Sequence, residues 1–177
     1  MSREDGGLDN GPSGRRDGVS TGQLYTSEER RRRDASPWTL VQAILAPVQF
    51  VIFAISLILV IRCLATGAGT FAADMSVVAK TMALYAIMIT GSIWEKQVFG
   101  VWLFARPFFW EDVFSFLVIG LHSLYLVMLA TGMGSVEQRL IIALAGYGAY
   151  LVNAGQFLLK LRAARMQGDQ CAEPVLT

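Results

Sequence analysis

ASPWTLVQAILAPVQFVIFAISLILVI, residues 35–61, runs from Ala35 to Ile61 without one charged side chain. Such a run exceeds the ~20 apolar residues needed to cross a bilayer core. It begins too late and runs too long for a secretion signal, which sets a short apolar segment near the start and small residues at a cleavage site behind it. The chain has 177 residues and is 54% hydrophobic, so more runs of this kind are to be sought along it. The spans are expected at about 38–61, 75–94, 113–131 and 140–159, each of membrane-crossing length. The connectors, about 13, 18 and 8 residues, are short enough to make consecutive spans antiparallel neighbours. Lys80 falls inside the second span, and its long stem is expected to snorkel to the interface.

Residues 1–34 read differently. Seven arginines, many glycines and few large apolar side chains predict a disordered basic and polar arm. Residues 35–165 then form the membrane domain and 166–177 a flexible tail. Counting Lys and Arg on each side orients the bundle. With the N-terminus inside, the cytoplasmic set is the seven arginines of the arm with Lys96, Arg106, Lys160, Arg162 and Arg165. Arg62, Lys80 and Arg139 face the other way. The expected fold is therefore an all-α integral membrane protein, an antiparallel four-transmembrane-helix bundle with both termini cytoplasmic and a disordered N-terminal arm. Nucleic acid is not an expected partner, because the Arg30–Arg33 run lies where a positive-inside anchor belongs. The two cysteines, Cys63 and Cys171, are far apart, and a single histidine rules out a multi-histidine metal centre within the chain.

The connector WEKQVFGVWLFARPFFWEDVFSF, residues 94–116, carries carboxylates at both ends of an aromatic-rich stretch. An antiparallel turn sets Glu95, at the end of the second span, beside Glu111 and Asp112 at the start of the third. Clustered carboxyl groups in an apolar wall repel and lose hydration, so at least one is expected to keep its proton near neutral pH. A protonated carboxyl beside an ionised one is what general acid/base chemistry requires. The plainer readings are an interfacial aromatic belt and acids at a helix N-terminus, where the dipole favours them. The second does not cover Glu95, which ends a helix; its neighbour Lys96 is a candidate to offset it.

Polar side chains also line up along the spans. Glu111, Ser115, Val118, His122 and Tyr125 step by four, three, four and three residues and form one stripe. His122 lies about 16 Å below Glu111 at ~1.5 Å per residue. Gln42, Gln49, Ser56 and Cys63 recur every seventh residue, with Pro47 a candidate bend, and Tyr150, Asn153 and Lys160 share a line. Glutamine, serine and asparagine at such positions also serve as interhelical glue. An intramembrane histidine is costly enough to be a functional candidate, and a packing histidine is the alternative.

Four blocks carry a resemblance: YTSEERRRRDASPWTLVQAILAPVQF (25–50), TGSIWEK (90–96), FFWEDVFSFLVIGLH (108–122) and YLVNAGQFLLKLRAAR (150–165). Together they resemble the 3-vinyl bacteriochlorophyllide hydratases of bacteriochlorophyll biosynthesis, over about Tyr25 to Arg165. The resemblance implies addition of water to the C3-vinyl group of a (bacterio)chlorophyllide, giving a 3-(1-hydroxyethyl) group. It implies no cofactor, magnesium entering only inside the substrate macrocycle. It also implies a place in the inner, intracytoplasmic photosynthetic membrane, where the lipid bilayer and neighbouring pathway enzymes are the partners. On this chemistry Glu111 is the first candidate for the acid, with Asp112 and Glu95 its partners toward water. His122 is a candidate for the central magnesium or a ring carbonyl, and Arg106, Lys96 or Lys160 for the propionate. Trp94 and Trp110 of the aromatic wall, and Asn153, complete the candidate binding set. The competing readings are a chlorin-binding carrier or assembly factor without catalysis, and a small proton-coupled transporter. The transporter needs polar residues across the whole membrane depth, whereas the far half reads as mostly apolar, with Ser56, Lys80 and Thr81 the main exceptions.

Overall fold

A computed structural model of the chain describes residues 25–170, with side chains described as far as Arg162. The expected arm up to residue 24 and the tail from residue 171 lie outside the described residues. Within them the chain is helical: α1 (Ser27–Ala35), α2 (Pro37–Thr66), α3 (Thr70–Phe99), a 3-10 turn (Arg106–Phe108), α4 (Phe109–Thr131) and α5 (Val136–Gln170). Helices α2, α3 and α5 and the stretch from the 3-10 turn through α4 are each long and apolar enough to cross a membrane. Between 17% and 33% of each apolar stretch is buried by the rest of the protein, so most of its surface needs lipid. Leu40, Ile44, Ile58, Phe71 and Leu158 are among the large apolar side chains left facing outward.

The helices overrun the expected spans at nearly every end. Helix α3 begins at Thr70 rather than near Met75, and the links shrink to residues 67–69, 100–105 and 132–135. Polar residues near a helix end keep the backbone hydrogen-bonded just as well as apolar ones, so hydropathy marks the lipid core and not the helix terminus. Residues 27–35, most of them expected to belong to the disordered arm, form α1. The reason is local. Thr26 N–H donates to Glu29 Oε2 at 2.7 Å and Glu29 N–H to Thr26 Oγ1 at 3.2 Å, a reciprocal capping box. Glu28 and Glu29 sit in the first turn and Arg32 and Arg33 in the last, each matched to the helix dipole. Tyr25 anchors this helix to the membrane domain, its ring stacked on Phe99 at 5.8 Å and covered by the Arg33 guanidinium at 4.9 Å. Helix α5 likewise continues to Gln170, past residue 166 where the tail is expected.

Side-chain pairs set the register. Ser36 meets Gln97, Gln42 meets Thr90, Ser56 meets Ser76 and Cys63 meets Thr70, so partners fall along α3 as they rise along α2. Between α4 and α5, Glu111 meets Lys160, Ser115 meets Asn153 and His122 packs on Tyr147, again in opposite order. The inward face of α2 carries Gln49, Phe53, Ser56, Val60 and Cys63, and the helix continues through Pro47 to Thr66. On α4 the buried face includes Glu111, Val118, His122 and Tyr125, four members of the stripe with heptad-like steps. The apolar core fills between them with Phe53, Val77, Leu84, Leu140, Tyr147 and Tyr150.

Lys80 does not snorkel. It is fully buried, its ammonium 3.5 Å from the Tyr150 ring centroid and 5.7 Å from that of Phe53. The early start of α3 puts Lys80 ten residues down the helix, roughly 15 Å at ~1.5 Å per residue, beyond the reach of its stem. Two ring faces replace part of its hydration. The far half is also more polar inside than Ser56, Lys80 and Thr81 alone suggest. Tyr125 donates to Asp74 Oδ1 at 2.5 Å, Arg139 lies 3.7 Å from the same carboxylate, and Ser56 is 2.5 Å from the Tyr147 hydroxyl.

Candidate active site

Where α3 ends and α4 begins, three acids are buried together: Glu95, Glu111 and Asp112 are each no more than 5% exposed. The link between them holds the arrangement. Gly100, at φ 80, stops α3. The chain then turns back so that two successive peptide groups face the acids. Phe104 N–H donates to Asp112 Oδ2 at 2.6 Å, and Ala105 N–H donates to Glu95 Oε2 at 3.2 Å. These successive donors make Glu95 and Asp112 a buried, peptide-clamped pair of carboxyl groups.

Glu111 is held differently. Its Oε2 lies 2.6 Å from Lys160 Nζ, an ion pair in which the carboxylate is nearly fully buried. Lys160 also donates to the carbonyl of Pro107 and sits 5.0 Å from the Phe108 ring centroid. Lys160, a candidate for the substrate propionate, is thus engaged inside the protein. Lys96 does not offset Glu95: it is exposed, donates to Gly100 O at 2.8 Å and lies 5.8 Å from the Trp102 ring. The group that meets the Glu95 carboxylate is instead the Ala105 peptide N–H, which a reading of neighbours along the chain would not select.

Aromatic rings enclose the acids in two groups. Tyr25, Trp94, Phe99, Phe108 and Phe157 pack on the α1 and α5 side, with ring centroids 5.7–6.3 Å apart. Trp94 is half-buried there, and its indole N–H donates to Thr39 Oγ1 at 2.9 Å, which ties α3 to α2. Phe104, Phe109, Trp110 and Phe116 form the second group and face outward, Trp110 being the most exposed. Arg106 is exposed at the start of the 3-10 turn.

The match to known proteins is extensive. The family model described as 2-vinyl bacteriochlorophyllide hydratase matches residues 25–163. The chain belongs to that family. A relative from Rhodobacter capsulatus named 2-vinyl bacteriochlorophyllide hydratase is 62% identical over 144 residues, covering 81% of this chain and 84% of the relative. One of the same name from Cereibacter sphaeroides is also 62% identical over 144 residues, covering 81% and 89%. No solved structure matches the chain. The 2-vinyl of the family description and the 3-vinyl used above are one substituent under two ring-numbering conventions.

For a hydratase of this family the remaining candidates divide by position. Asn153 lies seven residues before Lys160 on α5, donates to Ser115 Oγ at 2.8 Å and leaves its own carbonyl oxygen unpartnered among the described residues. His122 is fully enclosed. Its Nδ1 is 2.8 Å from Val118 O, and a carbonyl only accepts, so the proton sits on Nδ1 and Nε2, unpartnered among the described residues, presents a lone pair. Tyr147 lies against the ring at 5.5 Å, and a Cβ added at Gly146 would approach ring atoms to 2.7–2.8 Å. That packing leaves no room for a magnesium macrocycle beside the imidazole. Among the described residues, no three His, Cys, Asp or Glu side chains are grouped to hold a metal ion.

Proposed function

We propose that this chain adds water across the vinyl group of a chlorin or bacteriochlorin, at the end of the bundle where Glu95 meets Asp112. The observation that carries the reading is the buried carboxyl pair, clamped by the Phe104 and Ala105 peptide groups and flanked by aromatic rings. The proton held by the pair passes to the terminal vinyl carbon, and the π electrons of the double bond form the new C–H bond. The cation left on the inner carbon is delocalised into the macrocycle. A water molecule bonds to that carbon and returns one proton to the carboxylate, which restores the pair. The sum is one water added, with no oxidation or reduction and a hydroxyethyl group as product.

Glu111, singled out first by its place on the α4 stripe, receives a different part. Paired with Lys160, it supplies negative charge beside the developing cation. Arg106 and Lys96 are the exposed cations placed to meet the propionate carboxylate of the substrate. Trp110 belongs to the ring surface that receives the macrocycle. Trp94 and Asn153 keep α3 and α4 in place through Thr39 and Ser115. His122 is a packing residue of the α4–α5 seam. A chlorin carrier that works through this histidine would need it open to the pigment.

The bundle is read as antiparallel with both termini cytoplasmic, which sets the acids at the inner leaflet of the photosynthetic membrane. The excess of Lys and Arg on that side supports this orientation. A dehydrogenase that oxidises the secondary alcohol is the class of enzyme that would take the product. Deleting the gene and analysing pigments tests the reaction: vinyl-bearing pigment should accumulate, and an unchanged hydroxyethyl pool would sink the proposal.

A further inference from the structure

Phe104 is the one described non-glycine residue with positive φ, at 60°. A side chain in the left-handed region is strained, and such strain persists only where the surroundings hold it. Here two contacts do so. The Phe104 N–H is fixed on Asp112, and its ring stacks on Phe116 at 5.5 Å with 12° between planes, with Phe109 also 5.5 Å away. Phe109, Asp112 and Phe116 follow one another by three and four residues, so they share a face of α4. Phe104 therefore lies over Asp112, between the rings that flank it on the helix. All three rings are nearly half exposed, on the outward side of the bundle.

We infer that the outer faces of Phe104, Phe109 and Phe116 form the docking platform for the planar tetrapyrrole, which reaches the acids sideways from the apolar phase. This inference rests on the hydratase reading above. Three observations select that occupant over bulk lipid. Two parallel rings stacked on one another present an aromatic face, which suits a rigid π-disc better than flexible acyl chains. The surface continues directly onto Asp112. The residue joining the two keeps a strained backbone that no lipid contact requires. Phe104 is thus a positioning residue: its ring receives the macrocycle and its peptide group orients Asp112.

The test uses the full chain in lipid nanodiscs with vinyl bacteriochlorophyllide, comparing Phe104→Tyr, Phe104→Ala and Phe104→Gly. Tyr keeps the platform and should retain KM. Ala and Gly should raise KM on the order of tenfold, the loss of one aromatic stacking partner, with a smaller change in kcat. Gly should unfold at a higher temperature than Ala, because it adopts positive φ without strain. Unchanged KM in both Ala and Gly overturns the platform, and a Gly variant no more stable than Ala overturns the strain argument. Pigment binding, followed by the chlorin fluorescence shift, separates this from the reaction. If the unmutated chain binds but does not hydrate, the hydratase reading fails, and the affinities of the same three variants still decide the platform.

Discussion

Asp112→Asn separates proton donation from architecture more cleanly than any other single change. The two side chains have nearly the same shape. The asparagine can keep its carbonyl oxygen on the Phe104 N–H, now 2.6 Å from Asp112 Oδ2, and turn its amide toward Glu95. Both clamping contacts survive, and Glu95 is left as the one acidic group of the pair, facing an amide N–H donor that favours its ionised form over the proton donor. General acid catalysis contributes typically 10²–10⁴-fold, so kcat should fall by about that factor, or about 3–5 kcal/mol in the barrier at ~1.4 kcal/mol per tenfold. The unfolding temperature should stay within about 3 °C of the unmutated chain, because no buried group loses its partner. The assay is single-turnover hydration in nanodiscs, followed by the absorbance change as the vinyl group leaves conjugation, with thermal unfolding on the same samples. Retention of more than a tenth of kcat would remove the pair from proton transfer. A loss of activity that merely tracks a loss of stability would show that Asp112 is structural.

Other substitutions test the packing. Lys160→Met leaves the buried Glu111 carboxyl group without its partner; removing one member of a buried pair costs ~3–5 kcal/mol, and partial exposure of Lys160 reduces this to about 2–3 kcal/mol. Adding Glu111→Gln should recover most of that loss in thermal unfolding, and a double variant no more stable than the single would show that the pair is not the cause. Gly146→Ala forces a methyl group to within 2.7 Å of the His122 ring and should destabilise by about 1–3 kcal/mol, whereas a neutral result would mean the α4–α5 seam is loose. Lys80→Met should leave stability unchanged or slightly raised, because the buried amine has no hydrogen-bond partner among the described residues to lose. A marked loss in denaturant unfolding would show that attraction to the Tyr150 ring outweighs the desolvation of the amine.

The α4 stripe explains why part of the site can be read in advance. Steps of four and three residues put Glu111, Val118, His122 and Tyr125 on one face in any regular helix, and the structure buries that face. The antiparallel turn sets Glu95 near Glu111 and Asp112, but nothing along the chain says that Asp112 is clamped beside Glu95 while Glu111 takes Lys160. Those pairings depend on the axial offset of two helices and on a six-residue link, 100–105, whose backbone supplies two donors. Peptide N–H groups are invisible in a list of residue types. Phe104 is a sharper case, because an aromatic ring in a hydrophobic connector carries no mark of a left-handed backbone.

The linear chain alone determined that four stretches belong in lipid, since transfer of a helix into hydrocarbon depends on the side chains within that helix. It also determined which faces of α2 and α4 turn inward, since the period of a helix does not depend on its neighbours. Tertiary structure decided where each helix stops and that Lys80 is caged by Tyr150 and Phe53. It also decided which acids are clamped by peptide N–H groups and which is paired with a lysine. Those outcomes depend on distances of a few ångströms between segments far apart in the chain, and electrostatic and hydrogen-bond energies change sharply over such distances.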